Sequence, residues 1–180
     1  MEQTKPMAIS RRSAALALAL VVTGVVTGLP ALPAHAQSGQ AVPAPFVIYD
    51  NELKNGWQNW SWARINTPAL SDSLKPLRVE GDPWSALVLH HDAFSTAPFS
   101  KLTFYIHGGL EGGQHLMIKA MADGKALESN YVIKPKARAW SVVEVALKDL
   151  AADNRTIDSL MVQGGDAAYQ PYYITRIQLE

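Results

Sequence analysis

The sequence predicts an all-β protein, a two-sheet β-sandwich of the jelly-roll type. From about residue 46 onward, apolar residues occur in short runs or alternate with polar residues, which is the period of two expected of strands. Glycine, proline, asparagine and aspartate separate these runs at the spacing typical of sandwiches and barrels. This region contains no stretch that sustains the 3.6-residue period of an amphipathic helix.

The alternation predicts ten strands, each bounded by turn residues. They cover residues 46–49, 60–63, 77–80, 85–90, 101–107, 115–122, 129–134, 140–146, 159–163 and 172–179. About eight to ten strands with little helix is the pattern of a jelly roll.

Three short segments predict the connections. The segment HGGLEGGQ (residues 107–114) contains four glycines, which permit positive φ and predict a tight reversal between the flanking strands. Asp123-Gly124 predicts a two-residue turn, so the following strand returns antiparallel. Residues 148–150 predict a single helical turn.

The first 36 residues are expected to be a cleavable signal peptide. Lys5, Arg11 and Arg12 precede an apolar run from residue 14 to 26, which is shorter than the roughly 20 residues a membrane span needs. The triplet AHA (residues 34–36) predicts cleavage after Ala36. The arginine pair leaves twin-arginine export open beside ordinary Sec export. The mature protein is then periplasmic or extracellular and has no membrane span, with a linker at 37–45 and one domain at 46–180.

Composition excludes one class of partner. The chain has 16 basic and 16 acidic residues and no basic cluster, whereas nucleic-acid binding needs a positively charged stripe. It also has no cysteine, so a packed core rather than disulfides must stabilise the domain.

Three parts of the sequence resemble secreted jelly-roll domains of the galactose-binding-like or carbohydrate-binding-module type. The opening strand and tryptophan-rich segment are IYDNEL (48–53) and GWQNWSW (56–62). The central strand and glycine segment are LTFYIHGG (102–109) and GGQ (112–114), and the late strands are WSVVEVAL (140–147) and YYITRIQL (172–179).

The resemblance implies a sugar-binding module with no catalytic activity. Related domains often carry an aspartate in the last strand that helps to hold a structural calcium. Here that neighbourhood contains Arg176, and we expect no essential metal at that position and no cofactor.

The tryptophans are the main candidates for a sugar site, because an indole covers the apolar face of a pyranose ring with rigid surface. We expect Trp57, beside Gly56, and Trp84, after a Gly-Asp-Pro turn, to be at the surface and to bind ligand. Trp60 and Trp62 share one face of a predicted strand and are expected to be mostly buried. Trp140 is likewise expected in the core.

Polar side chains would fix the orientation of a sugar by pairing with neighbouring hydroxyls. The candidates selected for this role are Asp50, Asn59, Arg64 and Gln114; Asn51 and Asp82 are also available.

The sequence gives less support to a metal site or a catalytic site than to a sugar site. His90 and His91 are adjacent and so lie on opposite faces of a strand, which prevents both from ligating one ion without a bulge. The sequence has no Gly-x-Ser-x-Gly motif for a nucleophile elbow. Glu111 could act in a glycosidase pair, but a glutamate in a glycine loop is usually solvated.

The leading hypothesis is therefore non-catalytic, lectin-like binding of a polysaccharide or glycan. The alternative is an envelope protein that binds another protein through an aromatic patch or an exposed sheet edge. A tryptophan-lined groove with nearby amides would favour sugar, whereas a flat apolar patch without a polar rim would favour a protein partner.

Overall fold

The computed structural model describes residues 44–180. The expected signal peptide, its cleavage site and most of the linker lie outside this part. The described part contains one 3₁₀ turn, Leu147–Leu150, and twelve strands. These are β1 (Phe46–Tyr49), β2 (Gln58–Asn59), β3 (Arg64–Asn66), β4 (Leu77–Gly81), β5 (Ala86–Ser95), β6 (Lys101–His107), β7 (Leu116–Ala122), β8 (Lys125–Ala126), β9 (Tyr131–Ile133), β10 (Trp140–Ala146), β11 (Thr156–Gly164) and β12 (Tyr169–Leu179).

The strands form two six-stranded antiparallel sheets, which confirms the predicted all-β sandwich. Sheet I has the order β10-β6-β12-β4-β3, and β1 pairs with the last part of β12. Sheet II has the order β2-β5-β11-β7-β8, and β9 pairs with the first part of β7. The long strand β12 is central in sheet I, and β11 is central in sheet II.

One hydrophobic core lies between the sheets. Alternate residues of each strand face inward, as the period of two requires. Phe104 and Ile174 of sheet I and Leu89 and Ile118 of sheet II belong to this buried cluster. The opposite residues of each strand form two outer faces.

Two of the predicted local features are confirmed. The two-residue turn at Asp123-Gly124 has positive φ at both positions, 51° and 70°, and pairs β7 with β8. The predicted helical turn is the 3₁₀ turn, which buries Leu147 and Leu150.

Two predictions of local structure are wrong. Residues 60–63 do not form a regular strand, because the segment bonds only irregularly to the edge of β5. The glycine segment 107–114 is not a hairpin, because it connects β6 of sheet I with β7 of sheet II. Three of its glycines do adopt positive φ, namely Gly109, Gly112 and Gly113.

Residues 44–180 contain no helix that is long and apolar enough to cross a membrane.

Candidate functional site

A tryptophan-containing segment runs along the edge of sheet II. The backbone N–H of Trp60 donates to the Val88 carbonyl at 2.9 Å, and that of Trp62 donates to the Ala86 carbonyl at 3.1 Å. Between them, the Ser61 hydroxyl accepts a hydrogen bond from the Val88 N–H at 2.9 Å. The serine side chain thus takes the place of a backbone acceptor and holds the segment against β5.

Three tryptophans in this region are more than half exposed. The exposed fraction is 57% for Trp60, 56% for Trp62 and 53% for Trp84. We call these three residues the tryptophan edge. The predicted exposure of Trp84 is confirmed, whereas the expectation that Trp60 and Trp62 are buried is wrong. The period of two placed both on one face correctly, but it cannot tell which face is outward.

Neighbouring side chains orient Trp60. Its ring stacks on the imidazole of His90, with centroids 3.5 Å apart and an interplanar angle of 17°. Its indole N–H donates to the Gln58 side-chain oxygen at 3.0 Å. His90 is held in turn, since its Nδ1 lies 3.0 Å from the Ser159 hydroxyl. One face of the Trp60 indole is therefore covered, although the residue is still more than half exposed.

Trp62 and Trp84 are linked directly. The indole N–H of Trp62 donates to the Trp84 carbonyl at 3.0 Å, and the same carbonyl accepts a bond from the Gln163 amide at 3.2 Å. Trp84 has a φ of 62°, and its backbone N–H bonds to the Gly165 carbonyl at 2.8 Å. These contacts hold the indole of Trp62 against the backbone of Trp84, 22 residues further along the chain.

The outer face of sheet II continues from this edge. Strand register places Val88, Met161 and Lys119 in one row across β5, β11 and β7. The next row toward Trp84 contains Gln163 and Met117. A small apolar cluster of Ala86, Val88 and Met161 lies here, with Met121 against it. Ala86, Val88 and Met161 are themselves buried, and the partly exposed side chains of this face are those of Met117, Lys119, Met121 and Gln163.

Trp57 is not at the surface, so the prediction that it binds ligand is wrong. It is only 4% exposed and belongs to the main core. Its ring lies 5.7 Å from that of Phe94 and 5.3 Å from that of His91, measured between centroids. The core between the sheets needs large inward side chains, and Trp57 supplies one of them.

Gln114 is also buried, contrary to its predicted role at a sugar site. It is 6% exposed, and its side-chain amide donates to the carbonyls of Gly108 at 2.9 Å and Gln170 at 3.2 Å. Gln114 thus ties the glycine segment to the start of β12.

The remaining predicted polar residues are exposed but dispersed. Asn59 precedes Trp60 and accepts a bond from the Ser61 N–H at 3.0 Å. Arg64 lies in sheet I, within 3.6 Å of Glu80 and 3.4 Å of Asp82. Asp50 borders a groove on the outer face of sheet I. The structure therefore brings Asn59 to the tryptophan edge and leaves Asp50 on the other sheet.

Trp140 departs from its expected place in the core, because it is 38% exposed. It begins the edge strand β10 and lies on the outer face of sheet I, beside His107.

Several solved structures with the same architecture are family 29 carbohydrate-binding modules. A variant of the family 29 carbohydrate-binding module CBM29-2 matches with a TM-score of 0.59 and 14% identity, covering 77% of this chain and 92% of the module. A variant complexed with mannohexaose matches at 0.59 and 15%, covering 76% and 90%, and one complexed with cellulohexaose at 0.58 and 15%, covering 76% and 89%. The fold is that of a carbohydrate-binding module. No protein-family model matches the chain, and no curated protein does.

In this carbohydrate-binding-module fold, the adjacent histidines lie on opposite faces of β5, as predicted. His90 lies under Trp60, whereas His91 packs against Phe46 and Trp57 and its Nε2 lies 2.9 Å from the Asn55 carbonyl. Among residues 44–180, no three histidine, cysteine or acidic side chains are grouped so that they could hold a metal ion.

Sequence reasoning missed three of the residues that build this site: Trp60, Trp62 and His90. The serine between the two tryptophans did not reveal their direction, because a polar residue between two indoles favours indoles that face the core. Ser61 instead accepts a hydrogen bond from the Val88 N–H at the edge of β5, a contact that depends on long-range pairing.

Proposed function

We propose that this protein binds a polysaccharide chain, without cleaving it, along the tryptophan edge and the adjoining outer face of sheet II. The observation that carries the proposal is the exposure of Trp60, Trp62 and Trp84 along one edge, each by more than half. Exposed clusters of large apolar side chains are uncommon on soluble domains and mark binding surfaces.

The arrangement of the indoles suits sugar rings. Trp60 and Trp62 bond to positions two residues apart on β5, a separation of about 7 Å along the strand. Their indole N–H groups are already bonded to Gln58 and Trp84, so the rings are fixed before a ligand arrives. Fixed rings lower the entropic cost of binding.

A saccharide site also needs polar groups that pair with the sugar hydroxyls, and such groups lie next to the indoles. Gln58 and Asn59 lie on β2 beside Trp60, and both are exposed. Gln163 and Lys119 lie on the outer face of sheet II. This mixture of aromatic surface and amide groups favours a saccharide over a protein partner, whose interface core would be depleted of charge.

The solved modules of similar fold suggest which ligands to test first. One was determined with mannohexaose and another with cellulohexaose. Linear hexasaccharides of these two kinds are long enough to contact several indoles together. We expect modest affinity, since an open surface recovers little of the ordering cost of binding.

Glu52 and Glu80 do not have the raised carboxyl pKa of a glycosidase acid. A glycosidase needs one carboxyl group whose pKa is raised, so that it can act as an acid. In this protein the hydrogen bond from Arg78 lowers the pKa of Glu80, and the hydrogen bond from Lys54 lowers the pKa of Glu52. Both side chains are acceptors in ion pairs.

The proposal includes export, with cleavage after Ala36. A polysaccharide-binding protein meets its ligand in the periplasm or outside the cell, and the N-terminal sequence has the features of a signal peptide. N-terminal sequencing of the protein purified from its native cells should begin at Gln37. A chain that still begins at Met1 would contradict export by cleavage.

Binding is best tested with mannohexaose and cellulohexaose, and with their insoluble parent polysaccharides, by calorimetry and tryptophan fluorescence. Trp60→Ala and Trp62→Ala should each weaken binding by about tenfold, or about 1.4 kcal/mol. Tyr105→Ala is the matched control, because Tyr105 is an exposed aromatic residue, 38% accessible, on the outer face of sheet I.

A protein partner is the alternative outcome. If the wild type binds none of these saccharides, the proposal fails. If instead the tryptophan variants abolish capture of one specific envelope protein, the adhesion hypothesis replaces it.

A further inference from the structure

The outer face of sheet I contains a hollow of about 460 Å³. Volumes of about 300–1,000 Å³ are typical of sites for small molecules. Its floor and walls are formed by aromatic, apolar and polar side chains. Those that the argument uses are Arg78, His107, Leu110, Glu111, Trp140 and Tyr173.

The register of the sheet builds the floor. Trp140 of β10 pairs with His107 of β6, His107 pairs with Tyr173 of β12, and Tyr173 pairs with Arg78 of β4. Directly paired residues of neighbouring strands project from the same face of a sheet. Four adjacent strands therefore present these four side chains in one row, while the alternating residues Ile106 and Tyr172 enter the core.

The connecting loops raise the walls. Leu110, which is 78% exposed, and Glu111 stand on one side, in the glycine segment that leaves β6. Leu70, from the loop before β4, stands on another and is 52% exposed. Gln170 and Pro171, at the start of β12, complete the wall.

The aromatic rings are packed and oriented. The imidazole of His107 lies 5.3 Å from the ring of Trp140 and 6.0 Å from that of Tyr173, the latter edge-on at 80°. His107 Nδ1 accepts a hydrogen bond from the Gly109 N–H at 3.0 Å. The ring proton of a neutral His107 is then on Nε2, which can donate to a ligand.

The charges in the hollow are largely balanced. Arg78 donates to Glu80 at 2.8 Å, so its positive charge already has a partner. That hydrogen bond raises the pKa of Arg78, with a smaller contribution in the same direction from Tyr173. Glu111 places a carboxylate on the rim. A neutral, hydroxyl-rich ligand with one apolar face fits this set better than an anion does.

We propose that this hollow is a second saccharide site, which holds one neutral pyranose unit against Trp140 on the sheet opposite the tryptophan edge. This inference rests on the proposed function for its class of ligand, a saccharide. It does not rest on the residues of the first site, because no side chain of the hollow belongs to the tryptophan edge. Two sites on opposite faces would let one domain bridge two glycan chains, raising the avidity of attachment.

A protein partner fits the hollow less well. Protein interfaces bury a core depleted of charged residues, whereas Arg78, Glu111 and His107 stand among the rings here. Planar polar groups interleaved with aromatic faces are instead the complement of a sugar, which offers hydroxyls at its edge and C–H groups on its face.

The five tryptophans provide the test, because each indole N–H gives its own signal in a ¹⁵N–¹H correlation spectrum. Signals are assigned with single Trp→Phe variants, and the protein is titrated with mannose, glucose, mannohexaose and cellulohexaose. We expect the Trp60 and Trp62 signals to move together and the Trp140 signal to move with a separate midpoint. Trp57, which is buried, is the internal control and should not move.

Variants show whether the Trp140 signal moves because a saccharide binds beside it or because a change is transmitted from the tryptophan edge. In Trp60→Ala/Trp62→Ala, the Trp140 signal should still move with the same midpoint. In Trp140→Ala, binding at the hollow should disappear, whereas the Trp60 and Trp62 signals should still move with their original midpoint. Val142→Ala is the matched control, since Val142 is 54% exposed two positions along β10 and does not line the hollow.

Each failure has a distinct signature. A Trp140 signal that stays fixed while Trp60 and Trp62 saturate overturns the second site and leaves the proposed function standing. A Trp140 shift that vanishes in Trp60→Ala/Trp62→Ala also overturns it, because the shift was then transmitted. Movement of Trp140 without Trp60 and Trp62 supports the second site and contradicts the tryptophan edge.

Discussion

The indole of Trp60 lies on the imidazole of His90 with ring centroids 3.5 Å apart. Trp60 is attached to the edge of sheet II by a single backbone bond to Val88, and its side chain is more than half exposed. An exposed aromatic side chain with so few contacts would otherwise sample several rotamers. We therefore infer that His90 is a positioning residue, which orders the ring proposed to contact a saccharide.

Substitutions at His90 test that role. His90→Ala should weaken saccharide binding several-fold, but less than Trp60→Ala, because the indole loses its support and remains present. His90→Phe keeps a flat ring at the same place and should retain most of the affinity. Calorimetric titration with mannohexaose and cellulohexaose measures both. If His90→Phe binds as weakly as His90→Ala, the hydrogen bond to Ser159 rather than stacking is what matters.

Truncation of Trp57 should destabilise the protein far more than truncation of Trp84. Trp57→Ala removes a buried ring from the core and should lower the free energy of unfolding by about 3–5 kcal/mol. Trp84→Ala removes an exposed ring and should change it by about 0.5 kcal/mol or less. Urea unfolding followed by circular dichroism compares the two. Equal losses would mean that Trp57 is not part of the core packing.

Gly112 and Gly113 separate two costs of adding a side chain, which are the strain of a positive φ and the lack of room for a Cβ. Both have positive φ, 65° at Gly112 and 73° at Gly113. A Cβ at Gly112 would lie 2.3 Å from the backbone nitrogen of Ala137, whereas one at Gly113 would meet nothing within 4 Å. Gly113→Ala should cost about 1 kcal/mol for the backbone conformation alone.

Gly112→Ala should cost about 1–3 kcal/mol more, because the segment carrying Ala137 must move. Denaturant unfolding of both variants measures the difference. Equal costs would show that the loop accommodates a methyl group without rearrangement.

Tyr49 makes the stability of the domain sensitive to alkaline pH. Burial, followed by the nearby charges of Asp50 and Glu52, raises the pKa of Tyr49 to about 12 from its ordinary value of 10.0. The folded state thus holds this proton more tightly than the unfolded state does. Its contribution is complete below about pH 10 and is lost as the pH rises toward about 12.

The free energy of unfolding should therefore fall with pH over that interval, more steeply in the wild type than in Tyr49→Phe. The variant should be less stable at neutral pH by about 1 kcal/mol, because the hydroxyl donates to the Lys75 carbonyl at 2.6 Å. Tyr105→Phe changes an exposed ring and serves as the control. Parallel pH profiles for the wild type and Tyr49→Phe would contradict this account.

Much of the fold could be predicted from the sequence because strand patterns and turn signals are local. The bounds predicted for β1, β6 and β10 match the structure, and the Asp123-Gly124 turn does too. The glycine segment was misjudged because positive φ permits either a hairpin or a crossing between sheets. That choice depends on which strands pair, and the sequence near the loop does not specify it.

The presence of exposed tryptophans could be predicted from the sequence, but which of them are exposed could not. The abundance of tryptophan indicated an aromatic binding surface, and Trp84 is exposed as expected. The positions of Trp57 and Trp60 were reversed, because periodicity gives relative faces and not the direction of the core. Trp57 is inward because it packs with Phe46 and Phe94, contacts that bring together β1 and β5.

The central position of β12 determines when sheet I can assemble during synthesis of the chain. β12 lies between β6 on one side and β4 and β1 on the other, so that Phe46 pairs with Leu179. A ribosome delivers this strand after the other eleven, and until then sheet I lacks the strand that joins β6 to its remaining members. Completion of sheet I must wait until β12 has been synthesised, and such long-range pairing is slow. The nascent chain therefore remains open to chaperones until translation of β12 is complete.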